Sequence, residues 1–195
     1  MKIYPLMLFV HVISDIGIFI GIGAWLLGLA ALRRAQDVSQ VRALAMLIQG
    51  TEPLSVVSAL LTIVSGLYML LTVWGWQTAW ALVALGSIIV FLPPLLLLIT
   101  EPRMRSIVRL AHVAPSGPIP EPLQGRILDP LLGTAVHTLA GVVLGIVFLM
   151  TTKPALPGSL TAMAVAVGLG AASGLTLSRV RPGRSGHPDR TTSTE

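Results

Sequence analysis

The chain contains no cysteine, and only 11% of its 195 residues are charged. The first absence excludes disulfides, thiolate zinc sites, iron–sulfur clusters and cysteine nucleophiles. The second leaves less than half the polar coat of a water-soluble domain, in which about a quarter of residues are charged. Polar catalytic sets are also missing. No Ser–His–Asp combination, phosphate-binding glycine loop or pair of catalytic carboxylates stands at credible depth, so an enzyme is not expected.

What the chain does have is apolar sequence, 54% of residues, gathered into five runs. Lipid as the solvent accounts for both the surplus and the deficit. The net charge of +5 does not point to nucleic acid, because the basic residues lie between and after the apolar runs. A rim beside anionic lipid fits that distribution.

The first run, Pro5 to Ala31, stops at Arg33-Arg34. It is about twice the length of a signal-peptide core and has its stronger positive flank on the wrong side, so it reads as a retained span. The Leu32–Glu52 connection carries a surface helix with Val41, Leu44, Leu47 and Ile48 on one face. A second span starts at Pro53, where Ser55, Ser58, Ala59, Thr62, Ser65 and Gly66 recur at three- and four-residue spacing. Small residues in one stripe let helices approach closely in lipid. The turn WGWQTAW holds Trp74, Trp76 and Trp80, a membrane–water interface signal. A third span follows, which Pro93-Pro94 should kink near Ile89 and Val90.

After Glu101, MRSIVRLAH sets Met104, Ile107, Val108 and Leu110 against Arg105 and Arg109, the pattern of an interfacial helix. APSGPIPEPLQG is too proline-rich for a helix or central strand. The fourth span carries His137, Gly141 and Gly145 four apart. The loop TTKPALPGS leads to a fifth, with Gly170 and Gly174. The expected fold is an all-α, polytopic membrane helix bundle with spans near 5–31, 53–73, 80–99, 130–150 and 160–177. The spans form one membrane domain over residues 1–177, the first four as a bundle and the fifth at its side, with a disordered basic tail over 178–195. Arg33, Arg34 and Arg42, then Arg103, Arg105, Arg109 and Arg126, then Arg179, Arg181, Arg184 and Arg190 fall on one side, against Lys2 and Lys153 on the other. The positive-inside rule puts the N-terminus outside and the C-terminus in the cytoplasm.

The segments EPLSVVSALLTIVSGLYML, WGWQTAWALVAL and LLLITEPRMRSIVRLA, with Ser65-Gly66, the early His11 and the FLMTTKP end of the fourth span, resemble a bacterial family of integral membrane proteins. This is domain-of-unknown-function family 2269. The similarity covers roughly the first four spans and implies a multi-pass fold in the bacterial cytoplasmic (inner) membrane; it implies no activity. A more distant likeness, by architecture, is to the copper resistance protein D family and to haem-carrying four-helix membrane cytochromes, which also place histidines in helices.

The polar residues inside the spans are the candidate site. His11 and Asp15 are four apart and share a helix face. An acid at mid-bilayer costs about 2.5–3.5 kcal/mol on insertion scales, so Asp15 needs a purpose. It can be a neutral, hydrogen-bonded packing group or part of a proton or cation site. As a metal site the pair is His11 with Asp15; as a haem b site it is His11 with His137. The two histidines differ in depth, roughly 9 Å for His11 and roughly 21 Å for His137 at ~1.5 Å per residue, so one upright haem is not expected to join them. His137 is instead expected to be a neutral imidazole bonded across helices. Gly17, Gly21, Ser65, Gly66, Gly141 and Gly145 are the expected helix contacts. Glu52 and Glu101 mark a span boundary, within reach of Arg103 or Arg105. The reading favoured by these residues is a non-catalytic membrane component or accessory subunit. Its partners would be the bilayer and a membrane-protein partner or a second copy, with no nucleic acid. The alternative is a haem b, metal-ion or proton-handling protein using His11, Asp15 and His137.

Overall fold

A computed structural model describes residues 3–179. The basic tail expected beyond this point lies outside the described residues, except that Ser178 and Arg179 fall within the last helix. The described chain is helical in every named element: α1 Tyr4–Leu32, α2 Val38–Gly50, α3 Glu52–Met69, α4 Ala79–Pro93, α5 Glu101–Val113, α6 Glu121–Ile127, α7 Pro130–Thr152 and α8 Leu156–Arg179. Among the described residues, 5 helical stretches are long and apolar enough to cross a membrane.

Two of those stretches are longer than a bilayer requires. α2 and α3 run into one another through Thr51, and α4 continues into α5, giving stretches of 37 and 35 residues. At 1.5 Å per residue each reaches past a ~30 Å hydrocarbon layer by about 20–25 Å. The surplus of both lies at the same end, where α2 and α5 pack together with α6. The MRSIVRLAH segment is therefore the extension of the third span, not a separate interfacial helix.

This end, rich in arginine, forms a cap with a packed apolar interior. Leu29, Leu32, Val41, Ile48, Ile107 and Leu132 are among the buried residues there. Asp37 caps α2: its carboxylate accepts from Gln40 N–H and from the Ser39 hydroxyl, bonds that hold it below the usual carboxylate range. The Val38 N–H donates to Gly117 O at 3.0 Å, tying the loop after α5 to the start of α2. Arg42 donates to the carbonyls of Ala111 and Ala114, closing the end of α5.

Three local expectations are corrected here, and the course of the chain at the proline pair is given with them. On α2 the buried face is Val38, Val41, Ala45 and Ile48, while Leu47 is 61% exposed. The direction from which α1 and α5 approach selects Ala45 over Leu47. The proline-rich segment does form a helix, α6, because Pro122 falls in its first turn, where no N–H is required. At Pro93-Pro94 the chain stays helical on both sides of the prolines. Its hydrogen bonding changes after the prolines to a π-helical stretch, Pro94–Thr100, in which Thr100 Oγ1 donates to Leu95 O at 2.7 Å. The loop before the fifth span is shorter than TTKPALPGS, since α8 already starts at Leu156 with Pro157 in its first turn.

In the spanning part the helices meet through small residues. Along the antiparallel α1–α3 seam, a β-carbon on Gly17 would meet Ser58, one on Gly21 would meet Ser55, and one on Gly66 would meet the His11 ring. α8 is less a flank than half of the tightest pair. Gly170 abuts His137 O, Gly174 abuts the Thr134 backbone, and Gly141 abuts Ala166 O. Between apolar helices in lipid there is no hydrophobic drive, so close backbone approach supplies the packing. The large apolar side chains point outward, as at Val64, Ile89, Leu98 and Leu169.

Candidate functional site

The α1–α3 seam carries a buried polar network near the end opposite the cap. His11 is 6% exposed. Its Nδ1 lies 3.0 Å from Thr62 O and 3.1 Å from Ser65 Oγ. A backbone carbonyl only accepts, so Nδ1 carries a hydrogen and donates. The Ser65 hydroxyl donates to Leu61 O, which leaves its oxygen free to accept from the same ring nitrogen. Nε2 then faces Asp15 Oδ2 at 3.8 Å. The other carboxylate oxygen, Oδ1, accepts from Thr62 Oγ1 at 3.0 Å.

Thr62 thus holds both members of the pair, His11 through its carbonyl and Asp15 through its hydroxyl. The sequence placed Thr62 in a packing stripe and did not assign it this role. Its signal was its position one turn before Gly66 on the face that met α1. The carbonyl contact depends on α3 presenting its backbone closely, which Gly66 permits: a β-carbon there would sit 2.9 Å from His11 Cε1.

His11 and Asp15 open onto two different cavities. The one towards the tryptophan turn, about 190 Å³, is lined by His11, Tyr4, Trp74, Trp80 and Lys153 among others. The one towards the cap, about 160 Å³, is lined by Asp15, Trp25, Ser55 and Thr100 among others. Thr62, Ile63, Ile88 and Met150 line both, so these four side chains separate the two spaces. Both walls are overwhelmingly apolar apart from the network.

His137 is elsewhere. Its Nδ1 donates to Gly133 O at 2.8 Å, one turn back on its own helix, not across helices as expected. It borders neither cavity, and its carbonyl faces Gly170 on the α8 side of α7. His11 thus borders the cavity beside the tryptophan turn, and His137 borders neither space. Among the described residues no three His, Asp or Glu side chains converge as a metal shell requires. The His11–Asp15 pair alone offers two donors, short of the four usual for a transition metal such as zinc.

At the cap boundary, Arg105 pairs with Glu101 at 3.3 Å, whereas Arg103 pairs with Asp129 at 2.8 Å and joins α5 to the start of α7. Gly141 and Gly145 face α8, and Gly17, Gly21, Ser65 and Gly66 lie on the α1–α3 seam. No protein-family model, curated protein or solved structure matches the chain.

Proposed function

We propose that this protein is a non-catalytic component of a bacterial cytoplasmic membrane, a member of domain-of-unknown-function family 2269, whose His11–Asp15 pair holds one exchangeable proton inside the bundle. The observation that carries the reading is the Thr62 carbonyl on Nδ1. It commits the ring hydrogen of a neutral imidazole to Nδ1 and leaves a bare Nε2 lone pair facing a carboxylate oxygen 3.8 Å away. Two acceptors facing each other in an apolar surround repel, and one added proton turns repulsion into attraction. That proton sits on Nε2, giving imidazolium and carboxylate, or on Oδ2, giving imidazole and carboxylic acid. The pair is neutral overall in both forms, which suits its depth. At 3.8 Å the transfer needs a side-chain rotation or a bridging water.

The orientation proposed with this reading is N-terminus outside and C-terminus cytoplasmic. It is supported by the gathering of Arg33, Arg34, Arg42, Arg103, Arg105, Arg109 and Arg126 in and around the cap, opposite Lys153.

Infrared difference spectra of the reconstituted protein, recorded between two pH values, test the proton reading without knowledge of any activity. The expected spectrum contains a carboxylic-acid C=O band that disappears in Asp15→Asn and moves in Thr62→Val, together with imidazole bands that disappear in His11→Gln. A spectrum unchanged by Asp15→Asn sinks the proposal.

A further inference from the structure

The cavity beside the tryptophan turn has a feature that the proton pair does not use. Lys153 stands at its mouth. It terminates α7 in the left-handed backbone conformation, φ 48°, which non-glycine residues rarely adopt. Its carbonyl-capping N–H reaches back to Leu149 O at 2.9 Å, and the side chain is carried over the Trp turn. Nζ lies 4.0 Å from the centroid of the Trp74 ring and 6.0 Å from that of Trp80. The two indoles meet edge to face, with centroids 5.7 Å apart.

Among the described residues no carboxylate lies within ion-pair distance of this ammonium. Ring faces attract its charge but accept none of its three N–H donors conventionally. Behind it the cavity runs along α4 from Trp80 to Ile88, about 12 Å at 1.5 Å per residue. The walls include Leu8, Leu67, Leu70, Ala81 and Leu85, and at the far end Ile63, Ile88 and Met150 border the second cavity as well. Its volume of about 190 Å³ exceeds the ~150 Å³ of an engineered apolar cavity that stays dry and takes up benzene.

We infer that this cavity binds one acyl chain of an anionic phospholipid, with the phosphate held by Lys153 beside the Trp74 and Trp80 rings. Charge and shape argue for this occupant together. The one described cation at this end stands where a headgroup would lie, aromatic side chains of the kind that settle at headgroup level flank it, and the space behind is mostly apolar and extends about two turns along α4. A neutral ligand would make no use of the ammonium charge at the mouth, and a small anion would leave the apolar volume unfilled. The inference is independent of the proton reading, since it requires neither His11 nor Asp15 to titrate.

The test uses the full chain with Trp25→Phe and Trp76→Phe, so that emission reports only Trp74 and Trp80. It is reconstituted into phosphatidylcholine vesicles with increasing mole fractions of acyl-brominated phosphatidylglycerol or acyl-brominated phosphatidylcholine. Half-maximal quenching is expected at an at least threefold lower mole fraction of phosphatidylglycerol. Lys153→Gln is expected to abolish that preference while Lys153→Arg keeps it, each variant being its own reference for both lipids. Ala81→Leu, which narrows the cavity, is expected to weaken quenching by both. Because the readout is local, anionic lipid gathered at the arginine-rich cap does not contribute. Equal quenching by the two lipids in the parent protein, a preference that survives Lys153→Gln, or quenching indifferent to Ala81→Leu overturns the inference.

Discussion

Gly66 of α3 lies flat against the imidazole of His11, so close that a β-carbon would stand 2.9 Å from Cε1 and 3.4 Å from Nδ1. The missing side chain is what lets the Thr62 carbonyl and Ser65 hydroxyl reach the ring. Gly66→Ala should push the ring off both acceptors. Overpacking of this kind costs about 1–3 kcal/mol, against a gain of about 1 kcal/mol for alanine over glycine in a helix. Lower thermal stability in detergent is therefore expected for Gly66→Ala, while Gly86→Ala, which meets nothing within 4 Å, should be unchanged or slightly stabilised. The reverse order in circular-dichroism melts would show that the His11–α3 contact is not close in the folded protein.

The α7–α8 seam makes a sharper contrast. A β-carbon on Gly170 would fall 2.6 Å from His137 O and 3.0 Å from Thr138 Cα, backbone atoms that cannot move aside alone. On the same helix Gly168 has open space. Gly170→Val should separate the pair and cost about 3 kcal/mol or more, above the usual overpacking range because backbone must shift. Gly168→Val, which meets nothing within 4 Å at its β-carbon, should be unchanged or stabilised by about a few tenths of a kcal/mol, since valine is the better helix former of the two. Unfolding midpoints of the two variants decide the matter, and equal midpoints would mean that α8 does not seat on α7 this closely.

These seams also show what could and could not be read from the chain. The five helices long and apolar enough to cross a membrane and the small-residue stripes were legible, because lipid imposes length and composition on a helix whatever it packs against. The corrections fall where a neighbour decides. Ala45 replaces Leu47 on the buried face of α2 because α1 and α5 fix which way that helix turns. Pro122 permits α6 by falling in its first turn, a matter of one residue's register that a proline count misses. His11 and Asp15 were legible as a pair from their spacing. Their common partner Thr62 was not, since it stands 47 positions from Asp15 and meets it only when α1 and α3 cross in this register. His137 had the same residue-level signal as His11 and yet turns to its own helix. A histidine in an apolar span does not announce which neighbour it will find.

Because the chain has no cysteine, orientation can be tested with single substitutions. Gln77 and Ser116 are both exposed, one in the tryptophan turn and one in the loop of the cap. In intact cells a cysteine at Gln77 should react with an impermeant thiol reagent, and one at Ser116 should react only after the membrane is opened. Labelling of both in intact cells, or of Ser116 alone, contradicts the proposed orientation.

Two arginines at the cap boundary have opposite circumstances and should respond oppositely to the same change. Arg103 donates through Nε to Asp129 at 2.8 Å and through Nη1 to Ile99 O at 3.1 Å, both ends partly buried. Arg33, the residue that ends α1, packs its guanidinium against Gly133, and its Nε and Nη2 are buried with no acceptor among the described residues. Burial pushes the Arg33 guanidinium below its ordinary pKa. Arg103→Met removes two charge-assisted bonds and strands the Asp129 carboxylate that also caps α7 through Leu131 N–H. Hydrogen bonds to charged groups contribute about 1.5–3 kcal/mol, so a loss of that size is expected. Arg33→Met exchanges a partly buried cation, two of whose nitrogens are buried without an acceptor among the described residues, for an apolar chain of similar reach, which removes the cost of burying polar atoms without a hydrogen bond. Arg34 stays in place in that variant, so part of the basic flank that orients α1 is kept. The expected order of unfolding midpoints is Arg33→Met at or above the parent and Arg103→Met below it. A clear loss of stability in Arg33→Met would mean that its Nε and Nη2 do meet an acceptor in the membrane-embedded protein, and that the α1–α7 contact at Gly133 is held by that bond and not by packing.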